Sequence, residues 1–356
     1  MSWKAGLGFA LSAFLIWFTL RDVDVAEVWA ALRAADMLLL LAAVAVATFG
    51  FFIRALRWKV LLRPVQADTS LHARWAAVNI GFMANNLLPA RVGEFARAYS
   101  FSRLERRVSV SAAFGSLVVE RVLDGLVLAS FLVATVLMPS FPEVELGGTF
   151  LAILRSAVVL LGGVGLVLAL LLIFPRFVVR TSEAVARRLL PETAAHRVTE
   201  ALESFLQALG VVRDPVLLAQ ALAWTVFFWG WHGLSFWLGM LAFDIHAGPV
   251  AAYFTEAVVG FGVALPAAPG FFGTFHASVD FALDTVYQAG EVPTLAFAYG
   301  YHLGGFIPVT LLGLWYARTL GLSLGDVRAS EKRVEAAVDA AVEDARIDDE
   351  ASGSSG

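Results

Sequence analysis

Asn85-Asn86-Leu87-Leu88-Pro89-Ala90-Arg91-Val92-Gly93-Glu94, followed by Arg97, lies in apolar sequence yet carries two amides, a proline, a glycine and three charges. A plain membrane helix avoids all of these. Pro89 lacks a backbone N–H and breaks a helix near this point, and Gly93 lets the backbone approach another segment closely. Broken backbone at membrane depth survives only where protein or a wet cavity satisfies it, and ionisable groups there read as functional by default. A second stretch, Leu265-Pro266-Ala267-Ala268-Pro269-Gly270-Phe271-Phe272-Gly273-Thr274-Phe275-His276, resembles the first: aligned on Leu-Pro-Ala, Gly93 falls on Gly270. Interrupted apolar segments in corresponding places of two halves point to a transporter's binding site.

The rest of the chain agrees with a membrane setting. Its 356 residues are 59% hydrophobic and 16% charged, with a mean hydropathy of +0.75. A soluble domain sits nearer half apolar and a quarter charged. The fold class expected is all-α, a polytopic membrane helix bundle with two broken or re-entrant segments. The absence of cysteine removes disulfides and thiolate metal ligands. The net charge of −4 is local: Asp326–Glu350 holds nine acidic and four basic residues, so that segment alone carries −5. No nucleic-acid signature appears.

Apolar spans are expected at Trp3–Leu20, Met37–Ile53, Val108–Met138, Phe150–Phe174, Val216–Phe243 and Val292–Tyr316. Met37–Ile53 runs into a basic edge of Arg54, Arg57, Lys59 and Arg63. Broken segments are expected within 74–98 and 250–288. Residues 1–325 therefore read as one transmembrane domain, with a cytoplasmic amphipathic insertion at about 175–215 divided near Pro191. Residues 326–350 read as a charged cytoplasmic tail and 351–356 as an appended linker. The positive-inside rule puts both termini in the cytoplasm, because the arginine clusters at 54–74, 97–107, 176–197 and 318–333 then share one side. The two broken segments would enter from opposite faces, as an inverted repeat in a multi-pass protein of the cell membrane.

Three sets of residues could carry chemistry. Arg91, Glu94 and Arg97 recur every third position and share one helical face; helix N-termini and arginine forks both suit phosphate. The alternative is that Arg91 and Glu94 form an ion pair locking the break. Glu120 and Asp124 share a face, with Arg121 beside them, facing either these carboxylates or Glu94. A buried charge needs a partner, unless the triplet lies at the end of a tilted span and snorkels. Glu256, His276, Asp280, Asp284 and His302, with His232 one span earlier, form a looser set that a proton relay or a metal could use. No H-E-x-x-H spacing occurs, so neither a metal nor another cofactor is expected. No P-loop is present, so transport would be passive, ion-coupled or driven elsewhere.

The motifs resemble those of the lysylphosphatidylglycerol synthase transmembrane-region family, also called flippase-like domain proteins. The family's N-x-x-L-P-x-R-x-G-E-x-x-R is matched by Asn85, Leu88, Pro89, Arg91, Gly93, Glu94 and Arg97, and its E-R-x-x-D by Glu120, Arg121 and Asp124. Its P-x-P-G-x-x-G-x-x-E is matched at Pro269, Gly270 and Gly273, with His276 where the family commonly has glutamate. The resemblance spans about residues 5–320. It implies handling of polar lipids, either aminoacylated phosphatidylglycerol or polyprenyl- and dolichyl-linked sugars. A soluble aminoacyl-transferring domain, present on some relatives, has no counterpart in this sequence, so lysyl-lipid synthesis is not expected.

The reading that follows is a lipid flippase or transporter holding an anionic headgroup. Asn85, Arg91, Glu94, Arg97, Glu120, Arg121, Asp124, Glu256, Pro269, Gly270, Gly273 and His276 would line its site. The alternatives are an intramembrane enzyme acting on a lipid phosphate, with Glu94 or Glu120 as base, and a scaffold for a lipid-modifying enzyme. The partners expected are membrane lipids, with a second copy or such an enzyme as protein partners. Glu94 and Asp124 are expected to hold Arg91 and Arg121, and His276, one turn from Asp280, to make activity sensitive to pH.

Overall fold

The structure, a computed structural model, describes residues 3–21, 23–88, 91–143, 202–264, 268–325 and 327, with scattered positions between 162 and 199. The described residues are helical and contain no strand. The helices are α1 (Trp3–Leu20), α2 (Val25–Ala34), α3 (Met37–Leu62), α4 (Leu71–Leu87), α5 (Gly93–Leu104), α6 (Val110–Val136), α7 (Pro215–Ala242), α8 (Gly248–Gly262), α9 (Thr274–Asp280) and α10 (Glu291–Thr319). A π-helical turn over Phe281–Val286 continues α9.

Several starts are encoded by one polar residue each. Asp24, Asp36 and Asp214 accept from the first backbone N–H groups of α2, α3 and α7, and Ser70 and Ser109 do the same for α4 and α6. Each cap satisfies donors that a helix N-terminus leaves open. Pro215 supplies a preset φ in the first turn of α7.

By length and composition, α3 and α10 can each cross a membrane. The segment Leu202–Val212 meets α7 at a bend of 79°. Large apolar side chains on these and neighbouring helices face outward, among them Phe14, Leu38, Phe49, Phe227, Leu311 and Trp315. Apolar exposure on this scale suits hydrocarbon rather than water. Inside, α3 packs along α7, α4 along α5 and α10, and α6 along α8.

In the first broken segment α4 ends at Leu87 and α5 begins at Gly93; in the second α8 ends at Gly262 and α9 begins at Thr274, with a 3-10 turn at Pro269–Phe271 before it. One sequence expectation needs correction. The second span does not stop at Ile53: α3 runs unbroken to Leu62, and Arg54 and Arg57 are buried within it rather than forming an exposed basic edge. Arginine keeps good helix propensity, so partners supplied by other helices let the helix continue through both. Lys59 and Arg63 do remain at the surface. The span expected at Phe150–Phe174, the division near Pro191 and the tail 326–350 fall outside the described residues or largely so.

Candidate functional site

The break between α4 and α5 is held by its own polar residues. Gly93 N–H donates to Asn85 Oδ1 at 2.8 Å, and Asn85 Nδ2 approaches Glu94 Oε2 at 3.5 Å. Asn86 Nδ2 donates to Thr310 Oγ1 of α10 at 2.8 Å. Gly81 and Gly93 face each other where the helices meet: a Cβ on Gly81 would lie 2.8 Å from the Gly93 carbonyl oxygen. Two missing side chains thus let α5 lie close against α4. Its small residues Gly93, Ala96 and Ser100 are buried, and Arg97 is buried among them.

Arg97 projects onto α6. It donates from Nη1 to Glu120 Oε1 at 2.7 Å and from Nη2 to Oε2 at 3.0 Å, a bidentate pair. The Trp58 ring lies 4.0 Å from its guanidinium carbon. From α3, Arg54 Nη1 reaches Glu120 Oε1 at 3.0 Å and Asp124 Oδ2 at 3.2 Å. Arg57 Nη1 reaches Asp124 Oδ1 at 2.5 Å, and its Nη2 lies 3.3 Å from Glu120 Oε1. Arg121 Nη2 closes the group, 2.7 Å from Glu120 Oε1 and 3.5 Å from Asp124 Oδ2. Trp229 Nε1 of α7 donates to Asp124 Oδ1 at 3.0 Å.

Two buried carboxylates therefore gather four arginines. Arg54, Arg57, Arg97, Glu120 and Asp124 are at most 4% exposed, whereas the Arg121 side chain is 41% exposed. The formal charge of the group is +2. Four guanidinium groups present roughly twenty N–H donors against about eight acceptor positions on two carboxylates. The Nε–H groups of Arg54, Arg57 and Arg97 accordingly have no partner among the described residues. The cluster is short of negative charge and of acceptors.

Arg91 behaves differently from the ion pair considered from the sequence. It has φ 57° and donates from Nη1 to Ala264 O at 2.7 Å, with its guanidinium carbon 5.0 Å from the Phe271 ring. One break thus grasps the other. Arg91 and Glu94 form no ion pair, but both are within electrostatic reach of Arg121. Of the expected holding pairs, Asp124 with Arg121 is present, joined by Glu120, whereas Glu94 acts on Arg91 only through space, without direct contact.

Pro269, Gly270 and Gly273 form the second break and do not touch the arginine cluster directly. Gly270 and Gly273 have φ of 71° and 87°, a conformation that favours glycine. A Cβ on Gly273 would lie 2.7 Å from Ser12 O, and Ser12 Oγ accepts from Ala268 N–H at 2.8 Å. The first helix therefore fixes this break. His276 is fully buried: Nδ1 accepts from Gly273 N–H at 3.3 Å, and the ring packs on Phe272, Phe275, Tyr299 and His302. Asp280 is not among its hydrogen-bond partners, so the ion-pair support expected for a charged His276 is missing. Glu256 stands apart on α8, paired with His232 of α7.

Sequence reasoning missed Arg54, Arg57 and Ser12. The signal for the first two was the three-residue spacing that Arg91, Glu94 and Arg97 also show. For Ser12, in an otherwise apolar helix, there was none.

The family model described as Lysylphosphatidylglycerol synthase TM region matches residues 6–313. Among curated proteins, Glycosyltransferase AglD of Haloferax volcanii is 32% identical over 107 residues, a stretch that is 30% of this chain and 17% of that protein. No solved structure matches. With the family match covering most of the chain and apolar helices long enough to span a bilayer, this is an integral membrane protein that belongs to the lysylphosphatidylglycerol synthase transmembrane-region family.

Proposed function

We propose that the protein is a lipid flippase or transporter that holds an anionic lipid headgroup against the arginine cluster while the acyl or polyprenyl chains stay in the bilayer. The observation that carries this reading is the excess of two positive charges in a buried group whose outermost member, Arg121, is part-exposed. A monoanion about 4 Å from one unpaired positive charge gains on the order of 4 kcal/mol at an effective dielectric constant near 20. A lipid phosphate supplies both the missing charge and the missing acceptors. Arg91 and Arg121 are the arginines best exposed to meet it. Both termini lie in the cytoplasm in this reading, with the two breaks inserted from opposite faces of the cell membrane.

The enzymatic alternative fits the geometry less well. Glu120 is contacted by four arginines, and Asp124 by three arginines and an indole N–H. Neither is available as a base, which leaves half-buried Glu94, 3.5 Å from Asn85 Nδ2, as the one carboxylate of the two considered that such a reaction could use. The glycosyl transfer that gives AglD its name belongs to a protein of which the matched stretch is a minor part.

Purified protein in liposomes carrying headgroup-labelled phosphatidylglycerol tests the reading, with a membrane-impermeant quencher reporting inner-to-outer transfer. Wild type should move the label, and Arg91→Ala and Arg121→Ala should each slow it at least tenfold. Transfer at the wild-type rate in both variants would place the headgroup elsewhere.

A further inference from the structure

Beside the arginine cluster, across one layer of aromatic rings, sits a second buried polar pair. Glu256 of α8 is 1% exposed. Its Oε1 lies 2.8 Å from His232 Nδ1 of α7, and its Oε2 has no partner among the described residues. A buried carboxylate normally fills its acceptor positions, so this one has room for a proton. The His232 side chain is 26% exposed, which gives the pair an open side. A Cβ on Gly233 would lie 2.8 Å from Glu256 Oε2, so the close approach of the two helices depends on that glycine.

The surroundings couple this pair to the cluster. Phe228 stacks on His232 with ring centroids 5.9 Å apart, and the guanidinium carbons of Arg54 and Arg57 lie 4.2 and 5.4 Å from its ring centre. Trp229 touches His232 edge-on and donates to Asp124. The remaining titratable neighbours are committed or separate. Tyr253, on the same helix as Glu256, donates to Gly230 O, and Tyr301 of α10 is bonded to Ser235. From α6, Glu120, Arg121 and Asp124 bind one another and the other arginines. From α9 and its π-helical continuation, His276, Asp280, Asp284 and Tyr287 make no hydrogen bond or ion pair with Glu256.

We infer that His232 and Glu256 form a proton-binding site whose occupancy is linked to anion binding at the arginine cluster. This rests on the headgroup reading above. One proton from water enters through His232 and takes the pair from net −1, a carboxylate beside neutral imidazole, to net zero. An empty cluster, with its excess positive charge, favours the anionic pair. A bound anion cancels part of that charge and favours the protonated pair. Linkage is reciprocal, so protonation of the pair strengthens anion binding. The protein thereby takes up lipid and proton together, which supplies an ion-coupled driving force without nucleotide.

Two measurements on the full-length protein in nanodiscs test this. Infrared titration of the protein in nanodiscs made of zwitterionic lipid alone should show a protonated-carboxyl stretch that is lost in Glu256→Gln and displaced along the pH axis in His232→Gln; the second variant changes a part-exposed side chain and guards against misfolding of the first. A titrating carboxyl signal unchanged in both variants overturns the proton site. The second measurement is the affinity for dihexanoyl phosphatidylglycerol across the pH range of that titration. Wild-type affinity should fall with rising pH by about 5-fold or more, the lower range of ordinary coupling, and E256Q should show no such fall. Equal pH dependence in the two overturns the linkage. If this lipid binds neither protein, the headgroup reading fails and the linkage with it, while the infrared result still decides the proton site.

Discussion

Arg97 and Glu120, on helices joined only through a short connection, meet in a bidentate pair of 2.7 and 3.0 Å roofed by the ring of Trp58. Around this pair Arg54, Arg57 and Arg121 converge on the same carboxylate. Glu120 is the point at which α3, α5 and α6 are electrostatically joined.

Removing that charge should unfasten all three helices. Glu120→Gln leaves Arg54, Arg57 and Arg121 facing Asp124 alone and Arg97 with no carboxylate, and breaking a buried pair in this way costs about 3–5 kcal/mol. Arg121→Ala removes a side chain that is 41% exposed and should cost no more than about 1 kcal/mol. Thermal unfolding in detergent, followed by loss of the monodisperse peak, should rank the two accordingly. Equal shifts would mean that the charges are held independently.

The glycines of the first break make a sharper contrast. An alanine Cβ at Gly93 would overlap the Gly81 carbonyl oxygen and the Asn85 side chain, and both obstacles are structural. Gly93→Ala should therefore abolish the well-folded fraction on size exclusion. Gly305, inside α10, has open space for at least 4 Å around the point where a methyl group would sit, and Gly305→Ala should be neutral or stabilise by about 0.5–1 kcal/mol through helix propensity. Comparable yields from the two variants would show that α4 and α5 do not need their close approach.

Orientation is checked through the lack of native cysteine. Single cysteines at Arg103, Arg107, Gln288 and Glu291 all sit at exposed positions. In intact cells, an impermeant maleimide should label the positions at 288 and 291 and spare those at 103 and 107. Strong labelling at 103 and 107, or none at 288 and 291, contradicts cytoplasmic termini and opposed breaks.

Several helices and both breaks were legible in the sequence because each is encoded within a few residues. Apolar runs set the spans, and Pro89, Gly93, Gly270 and Gly273 announced the interruptions; the caps at Asp36 and Asp214 went unread, although an aspartate just before an apolar run is a local signal. The spacing of Glu120 and Asp124 also fixed them on one helical face. What no local pattern could reveal is which face meets which. Arg54 lies 66 residues from Glu120, and its place in an apolar helix next to Lys59 read as the end of a span. Only tertiary packing brought carboxylates to it, and with them the reason it can be buried. Arg91 grasping Ala264, 173 residues away, and Ser12 fixing Ala268, 256 residues away, were decided in the same way. A hydrogen bond or ion pair across such distances depends on the final apposition of helices, and single-residue chemistry specifies only that each buried polar group must find a partner, not which one.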